Sequence, residues 1–181
     1  MNPTITTIYQ RRSVRSYKAA AVARAFTDEI IAAGKMAPSA INAQPWKFYV
    51  ADNPGIVRQF SVEIAAAAEQ YAYLSHGVHL SQPADRIFFG APVVVFISAP
   101  RTNQWAHLDI GMCVQNMMLA ATSMGLASCP IGLGKFIERT AGYPMLHIPS
   151  EEEIVIAVAI GYSDHIPSPE IRKSNDIFYL Q

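Results

Sequence analysis

The chain has 181 residues, of which 51% are apolar and 15% are charged, with 14 basic and 14 acidic side chains. Its length is typical of one globular domain, so we expect residues 1–181 to form a single domain. High apolar content at zero net charge excludes a disordered chain, and the lack of excess positive charge argues against a general nucleic-acid binder. The charged fraction is below the roughly 25% usual for soluble domains, which an oligomer that hides part of its surface would explain.

Neither the cysteines nor the amino terminus indicates export. Cys113 and Cys129 form no CxxC pair, which argues against a disulfide framework or a zinc ribbon. Residues 1–4 lack the apolar core of a signal peptide, so we expect the protein to remain in the cytoplasm.

The hydrophobic pattern predicts helices and strands in a mixed order. In the first half we expect a short helix before Arg11, a helix from Thr27 to Pro38, a strand at 46–51, a helix from Asn53-Pro54 towards Tyr73, and an irregular segment from His76 to Ile87. In the second half we expect a strand at 91–97, a long helix from about Trp105 to Gly125, a glycine-spaced loop at 125–134, a helix at 135–141, a strand at 154–160, and an apolar tail at 177–180 that pairs with a sheet of this or another subunit.

Three features of this pattern decide the predicted fold. The apolar runs at 93–97 and 154–160 indicate strands buried on both faces. The helix at 108–126 is apolar on all sides yet holds Asp109, Gln115 and Asn116, so it is expected to be buried in protein and not to cross a membrane. No GxGxxG follows the first strand and no Walker loop occurs, which argues against a Rossmann fold and favours a mixed-sheet α+β fold.

A basic segment follows the first predicted helix. Arg11, Arg12, Ser13 and Arg15 place three guanidinium groups and a hydroxyl within five residues, a set that can bind phosphate oxygens two at a time. The alternative is a solvated basic helix end, where cations favour the negative end of the helix dipole.

Two further segments carry short polar or small residues. The turn at 37–46 contains Ser39, Asn42 and Gln44, which can bind the polar edge of a ligand or serve ordinary turn chemistry. The loop at 125–134 contains three glycines, whose backbone can approach a flat ligand closely or simply connect two elements.

Taken together, these segments resemble the FMN-dependent nitroreductase family. The resemblance covers nearly the whole chain. It comprises the Arg-Arg-Ser-x-Arg start, the Ala-Pro-Ser-x-x-Asn-x-Gln-Pro-Trp-x-Phe turn, the Gly-Ala-Pro strand, Asp109-Ile110-Gly111, Pro130-Ile131-Gly132 and Ile160-Gly161-Tyr162.

The resemblance implies a nitroreductase-like α+β fold: a mixed, largely antiparallel sheet flanked by helices, with the long apolar helix at the interface of a homodimer. It also implies that each dimer binds two FMN molecules in sites shared between subunits. By this resemblance Arg11, Arg12, Ser13 and Arg15 hold the phosphate and the pyrimidine edge, Pro38, Ser39, Ala40 and Asn42 come from the partner, and Pro130, Ile131, Gly132 and Leu133 line the ring, with the Gly132 amide near flavin N5.

The sequence departs from the family pattern at two places. A Lys-x-Arg pair near the carboxyl terminus often contacts phosphate in the family; here Arg172 is present, but Glu170 replaces the lysine. The second serine of the turn is Ala40, where a backbone contact can survive the change. The family's mid-chain flavin contacts have no clear counterpart between Tyr71 and Asp85.

By the same resemblance the protein is an oxidoreductase that takes a hydride from NAD(P)H through flavin N5 to nitroaromatic, quinone or similar electrophilic acceptors by a ping-pong mechanism. The flavin carries the chemistry, so no catalytic side chain is expected; Arg15 or Arg12 is expected to stabilise the anionic reduced ring. The alternatives are a related flavoenzyme of the azoline dehydrogenase or dehalogenase type, and a flavin-storage or redox-sensing protein with little turnover.

Other candidate groups carry less weight. His76 and His79 lie three residues apart, but no third ligand has suitable spacing, so no metal site is predicted. Tyr71, Tyr73, Phe88 and Trp105 could line the open face of a flavin, although such aromatic residues more often belong to a core. Cys129, within the glycine-spaced loop, is expected to be a small buried residue.

Overall fold

A computed structural model describes residues 2–70, 87–174 and 176–180. The α-helices are α1 (Pro3–Gln10), α2 (Arg24–Lys35), α3 (Pro54–Gln70) and α4 (Ala106–Ser123). The strands are β1 (Lys47–Ala51), β2 (Val93–Pro100), β3 (Ala127–Ile131) and β4 (Glu152–Gly161). Short 3₁₀ helices cover Ala40–Asn42, Gly132–Arg139 and Tyr143–Leu146.

The four strands form one sheet in the order β1-β2-β4-β3, and each neighbouring pair is antiparallel. A single parallel bridge, from Ser13 to Ser128, adds the chain after α1 to the outer edge of β3. The α+β class and the largely antiparallel sheet predicted from the sequence are therefore confirmed. The apolar run of β2 lies between β1 and β4, and every residue except Pro100 is buried.

The alternation of side chains along the central strands creates two cores, one on each face of the sheet. Val94 and Phe96 point towards α3, where Phe96 packs edge-on against Phe60 and Phe88 at ring-centre distances of 5.8 Å. Val93 and Val95 point the other way, towards α2 and α4. The sheet is thus covered on both sides, as the continuous apolar strands require.

The helices α2 and α4 approach each other closely on their face of the sheet. A Cβ atom added to Gly34 would lie 2.6 Å from Met117 Cγ and 3.1 Å from Cys113 Sγ, so this crossing needs a glycine. The side-chain amide of Asn116 also donates to the carbonyl of Ala33 at 3.3 Å. These contacts fix the direction of α4 relative to the turn that follows α2.

The structure corrects the prediction of an irregular loop at 125–134. Gly125 does end α4 with a φ of +74°, but Ala127–Ile131 then forms the edge strand β3 and Gly132 begins a 3₁₀ helix. Pro130 hides this strand from a sequence pattern, although proline is tolerated at the edge of a sheet, where one row of amides needs no partner. The helix predicted at 135–141 is the later part of Gly132–Arg139.

The predicted start of α2 at Thr27 is also wrong, because the helix begins three residues earlier. Ala23 precedes it and makes no side-chain cap, while Thr27 is buried one turn inside. Because the first turn of α2 is exposed, it lacks the buried apolar positions from which a sequence pattern predicts where a helix begins. By contrast, Asn53 begins α3 as expected, since its side-chain oxygen accepts from the amides of Gly55 and Ile56 at 2.9 and 3.2 Å.

None of the helices in the described part of the chain combines the length and hydropathy needed to cross a membrane. The predicted apolar tail is exposed in the single chain, and Leu180 is 98% exposed. Its expected pairing with a sheet remains a prediction. Tyr73 and the segment from His76 to Arg86 lie outside the described residues.

A buried carboxylate ties three strands together at one end of the sheet. Glu152 forms an ion pair with Lys47 and accepts hydrogen bonds from Ser98 and, at 3.5 Å, from Tyr49. Burial by itself raises the pKa of Glu152, but the bonds from Lys47 and Ser98 and the charge of Lys47 outweigh it and hold the pKa below its ordinary value.

We expect Glu152→Gln to lower the melting temperature at neutral pH. A carboxyl group whose pKa is lower in the folded protein stabilises the fold above its unfolded pKa and loses this effect as the pH falls through the folded value. The difference from the wild type should therefore narrow below about pH 4, near the ordinary pKa of glutamate, in melts recorded across pH. The control is Glu153→Gln, because the ion pair of Glu153 with Arg101 at 3.4 Å is partly exposed and is expected to contribute little to stability. A difference in melting temperature between Glu152→Gln and the wild type that stays constant down to acid pH would contradict the lowered pKa of Glu152.

Candidate anion and cofactor site

The basic segment is attached to the sheet beside β3. Val14 is buried, and its amide donates to the carbonyl of Ser128 at 3.0 Å. The parallel bridge between Ser13 and Ser128 holds the preceding residue. The backbone of the basic segment is therefore held at two places: at the sheet edge, and at the end of α1, where the Arg11 amide donates to the carbonyl of Thr7 at 2.9 Å.

Among the described residues, Arg11 is a partly buried cation without a partner. Its buried Nη1 atom makes no hydrogen bond to any of them. Burial and the charges of Arg12 and Arg172 lower the pKa of Arg11. No carboxylate forms an ion pair with any of these three arginines within the described residues, so the positive charge here is uncompensated.

Arg12 is used differently from Arg11. Its Nη1 donates to the carbonyls of Tyr9 and Arg11 at 2.6 and 2.8 Å, which satisfies the carboxyl end of α1. The helix-end alternative therefore describes this residue. Its buried Nε has no hydrogen-bond partner among the described residues, so this donor remains for a ligand.

The side chains of Ser13 and Arg15 lie close to the thiol of Cys129. Burial raises the pKa of Cys129, and the charges of Arg15 and Arg11 and the hydroxyl of Ser13 oppose this rise. Cys129 is 1% exposed, in agreement with the expected small buried residue. The neighbouring Ser128 carries a third buried polar atom of this kind, because its Oγ has no hydrogen-bond partner among the described residues. Nothing in the sequence singled it out.

The glycines that follow β3 have two separate roles. A Cβ atom on Gly134 would lie 2.6 Å from the Cβ of Ala157, so this glycine serves packing against β4. A Cβ atom on Gly132 would meet nothing within 4 Å, and Gly132 is exposed. Pro130 and Ile131 lead into this open position, and Leu133 packs partly against the α3 core.

The turn after α2 is strained and held by hydrogen bonds. Ile41, Asn42 and Gln44 have φ values of +51°, +56° and +44°, conformations that cost non-glycine residues about 1–3 kcal/mol each. Ser39 Oγ accepts from the Gln44 amide at 2.9 Å, which leaves its hydroxyl hydrogen for a ligand. Pro38 and Asn42 are exposed.

Asp109 fixes this turn, a role that the sequence did not reveal. Its carboxylate oxygens accept from the Ala40 amide at 3.2 and 3.3 Å, and the side chain is 1% exposed. The amide of Ala40 is therefore occupied, so a ligand contact at Ala40 would fall on its carbonyl or methyl group. The sequence indicated only that Asp109 is a polar residue of the long apolar helix and part of the Asp109-Ile110-Gly111 motif.

The basic segment and the turn lie at opposite ends of α4. Asp109 is in the first turn of this helix, whereas Ser128, which holds the basic segment, follows three residues after Gly125. At a rise of 1.5 Å per residue, the part of α4 from Asp109 to its end at Ser123 is about 21 Å long. The residues predicted for one binding site thus form two separate groups within a single chain.

Two of the remaining candidates, Phe88 and Trp105, lie within the described residues. Phe88 is completely buried in the α3 core, whereas Trp105 is exposed next to α4. Tyr71, Tyr73, His76 and His79 are outside the described residues.

The first group suits an anion such as a phosphate. Orphaned guanidinium nitrogens and clustered cations without carboxylates are expected where a bound anion completes the site. Comparison with known proteins agrees with this chemistry, since the profile of the Nitroreductase family matches residues 8–162. The chain belongs to the nitroreductase family.

Individual relatives are distant but cover most of the chain. A 4-nitrobenzoate reductase of Pseudomonas putida is 27% identical over 87% of this chain and 84% of its own length. Protein DrgA of Synechocystis is 28% identical over 95% of this chain and 89% of its own. Among solved structures, an FMN-bound nitroreductase from Bacteroides fragilis superposes over the full length of both chains with a TM-score of 0.86 and 27% identity.

We expect Arg11→Met to stabilise the flavin-free protein. The variant removes a partly buried, unpartnered charge that is repelled by its neighbours, and such replacements commonly raise the free energy of unfolding by about 1 kcal/mol. Denaturant melts would measure the change, and added phosphate should stabilise the wild type more than the variant. The control is Arg58→Met, on the exposed face of α3. If Arg11→Met lowers the free energy of unfolding while Arg58→Met does not, Arg11 is not an uncompensated cation.

Proposed function

We propose that the protein is an FMN-dependent oxidoreductase of the nitroreductase type, using NAD(P)H as electron donor and a nitroaromatic, quinone or similar electrophile as acceptor. Bound FMN accepts a hydride at N5 and passes it to the acceptor in a second half-reaction. The observation that carries the proposal is the uncompensated cation cluster of Arg11 and Arg172, in which the buried Nη1 of Arg11 has no hydrogen-bond partner among the described residues.

The cluster supports a single-phosphate flavin. Arg11 has a free buried donor, and Arg172 is exposed and close enough for its charge to act on Arg11. Both arginines are suited to hold the phosphate, whereas the negatively charged side chain of Glu170 would repel it. Arg12 is already bonded to the Tyr9 carbonyl, so Arg15 is the better candidate to face the pyrimidine edge and stabilise negative charge there. No dinucleotide fingerprint occurs, which favours FMN over FAD.

The turn after β3 is suited to the flat ring. Pro130 and Leu133 are half-buried and keep part of their apolar surface, whereas Ile131 is buried in the α3 core. Gly132 is exposed and has no side chain to cover its amide. No acid, base or nucleophile is required of the chain, whose contribution is binding, orientation and electrostatics.

We further propose a homodimer in which each flavin site uses both chains. A two-fold copy running antiparallel along α4 would place the turn of one chain, with Ser39 and Asn42, near the basic segment of the other. Two hollows support this pairing: one of about 530 Å³ next to Tyr9, Arg12 and Leu126, and one of about 420 Å³ next to Pro38 and Leu108.

Exposed apolar residues also favour a partner. Met36, Ile41 and Leu108 lie near the amino-terminal end of α4 and are 81%, 100% and 60% exposed. A stable dimer of this kind usually buries more than about 2,000 Å², and the tail at 177–180 is long enough to add to it. We propose one domain over residues 1–181 and a cytoplasmic location.

The activity is tested on the purified protein. We expect it to be yellow, to release FMN on heating, and to oxidise NADH or NADPH when a nitroaromatic or quinone acceptor is supplied. Chromatography of the released flavin and a donor–acceptor panel measure this. FAD as the main flavin would overturn the cofactor proposal, and bound FMN without turnover would favour the storage or redox-sensing alternative.

Dimerisation and flavin binding are expected to be linked. If the site is shared between chains, FMN must stabilise the dimer by mass action, so the flavin-bound protein should dissociate at lower concentration than the flavin-free protein. Sedimentation across a dilution series measures this. In Arg11→Met, which is expected to be more stable without flavin, FMN should no longer stabilise the dimer. A monomer that retains FMN fully would refute the shared site.

A further inference from the structure

We propose that Asp109 is a positioning residue that acts on the flavin site of the partner subunit. This inference rests on the proposed function above and assigns a role to a side chain that touches no ligand. Asp109 holds the turn of its own chain, and that turn is expected to serve the flavin held by the arginines of the other chain.

The burial of Asp109 needs an explanation, because it is an acidic side chain with 1% exposure. Within the described residues no lysine, arginine or histidine forms an ion pair with it. Its compensation comes from the positive end of α4, in whose first turn it lies, and from the Ala40 amide. A charge buried in this way is costly unless it is held by such groups, so its presence points to a specific task.

The task that the geometry supports is control of the turn. Three of the four residues from Ile41 to Gln44 are in the left-handed region, which persists only when the surroundings impose it. Among the hydrogen bonds of the described residues, that of Asp109 joins the start of this turn to the rigid helix α4, whereas the Ser39 bonds to Asn42 and Gln44 lie within the turn. Loss of Asp109 would release the turn while leaving its own hydrogen bonds intact.

The length of α4 indicates which flavin site Asp109 acts on, that of its own chain or that of its partner. Within one chain, about 21 Å of helix lies between Asp109 and the end of α4, where Arg12 lies next to Thr122 and Gly125. The turn is therefore too far away to reach the arginines of its own chain. The turn can serve a flavin only if a second chain brings its basic segment to this end of the helix. Asp109 therefore acts in trans.

The first experiment compares FMN affinity in three variants of the full-length protein. Asp109→Ala should weaken FMN binding by about tenfold, the loss expected from one hydrogen bond that positions a binding group. Asp109→Asn keeps an acceptor oxygen and should restore affinity. The matched control is Glu63→Ala, since Glu63 also accepts from one backbone amide, that of Gly142 at 2.7 Å, on the opposite face of the sheet. It should lower stability without changing FMN affinity.

A mixed dimer then tests the action in trans. One chain carries Arg11→Met and the other Asp109→Ala, with different affinity tags for purification. One site then combines both defects, and the other combines an intact basic segment with an intact turn. We expect one FMN per dimer, bound as tightly as in the wild type. Two weak sites would overturn the proposal, because they place the effect of Asp109 in its own chain.

Three further outcomes are decisive. Unchanged FMN affinity in Asp109→Ala overturns the inference while leaving the proposed function intact. Absence of FMN from the wild type overturns the proposed function and this inference with it. If Asp109→Ala fails to fold, Asp109→Ser takes its place, because its shorter side chain withdraws the oxygen from the Ala40 amide; normal FMN affinity in that variant would refute the role.

Discussion

The packing of α4 against the sheet is the constraint on which the other features depend. Its buried side places Ile110, Val114 and Met117 against β2 and β4, and its two ends then fix the neighbouring segments. Asp109 at one end holds the turn after α2, and β3, which begins beyond Gly125, carries the basic segment at the other. Because α4 is rigid, the two groups of candidate ligand residues cannot meet within one chain.

The candidate site retains groups that the fold does not satisfy. Arg11 and Ser128 each have a buried polar atom without a partner, whereas the buried Glu152 is fully engaged by Lys47 and Ser98. The contrast separates two uses of buried polar groups. Satisfied groups hold strands together, and unsatisfied groups favour occupation by a ligand at some cost in the stability of the empty protein.

Much of the fold could be predicted because its signals are local. The continuous apolar runs of β2 and β4, the long apolar helix α4, and the side-chain cap at Asn53 were all recognisable in sequence. The edge strand β3 was not, because its residues include Pro130 and its pairing depends on β4, about 30 residues away. The start of α2 was missed because its exposed first turn has neither a side-chain cap nor a hydrophobic stripe.

The candidate site shows the same division between features that the sequence predicts and features that depend on tertiary packing. The sequence determined its residue types, since the motifs around Arg11, Ser39 and Gly132 and their order indicate a phosphate, a polar edge and a flat ring. The tertiary structure alone decided how they are used: Arg12 bonds to the end of α1, Arg11 has no partner, and Asp109 occupies the Ala40 amide. The reason is physical, because residue identity sets which bonds a side chain can make, whereas long-range packing sets which partners come within reach.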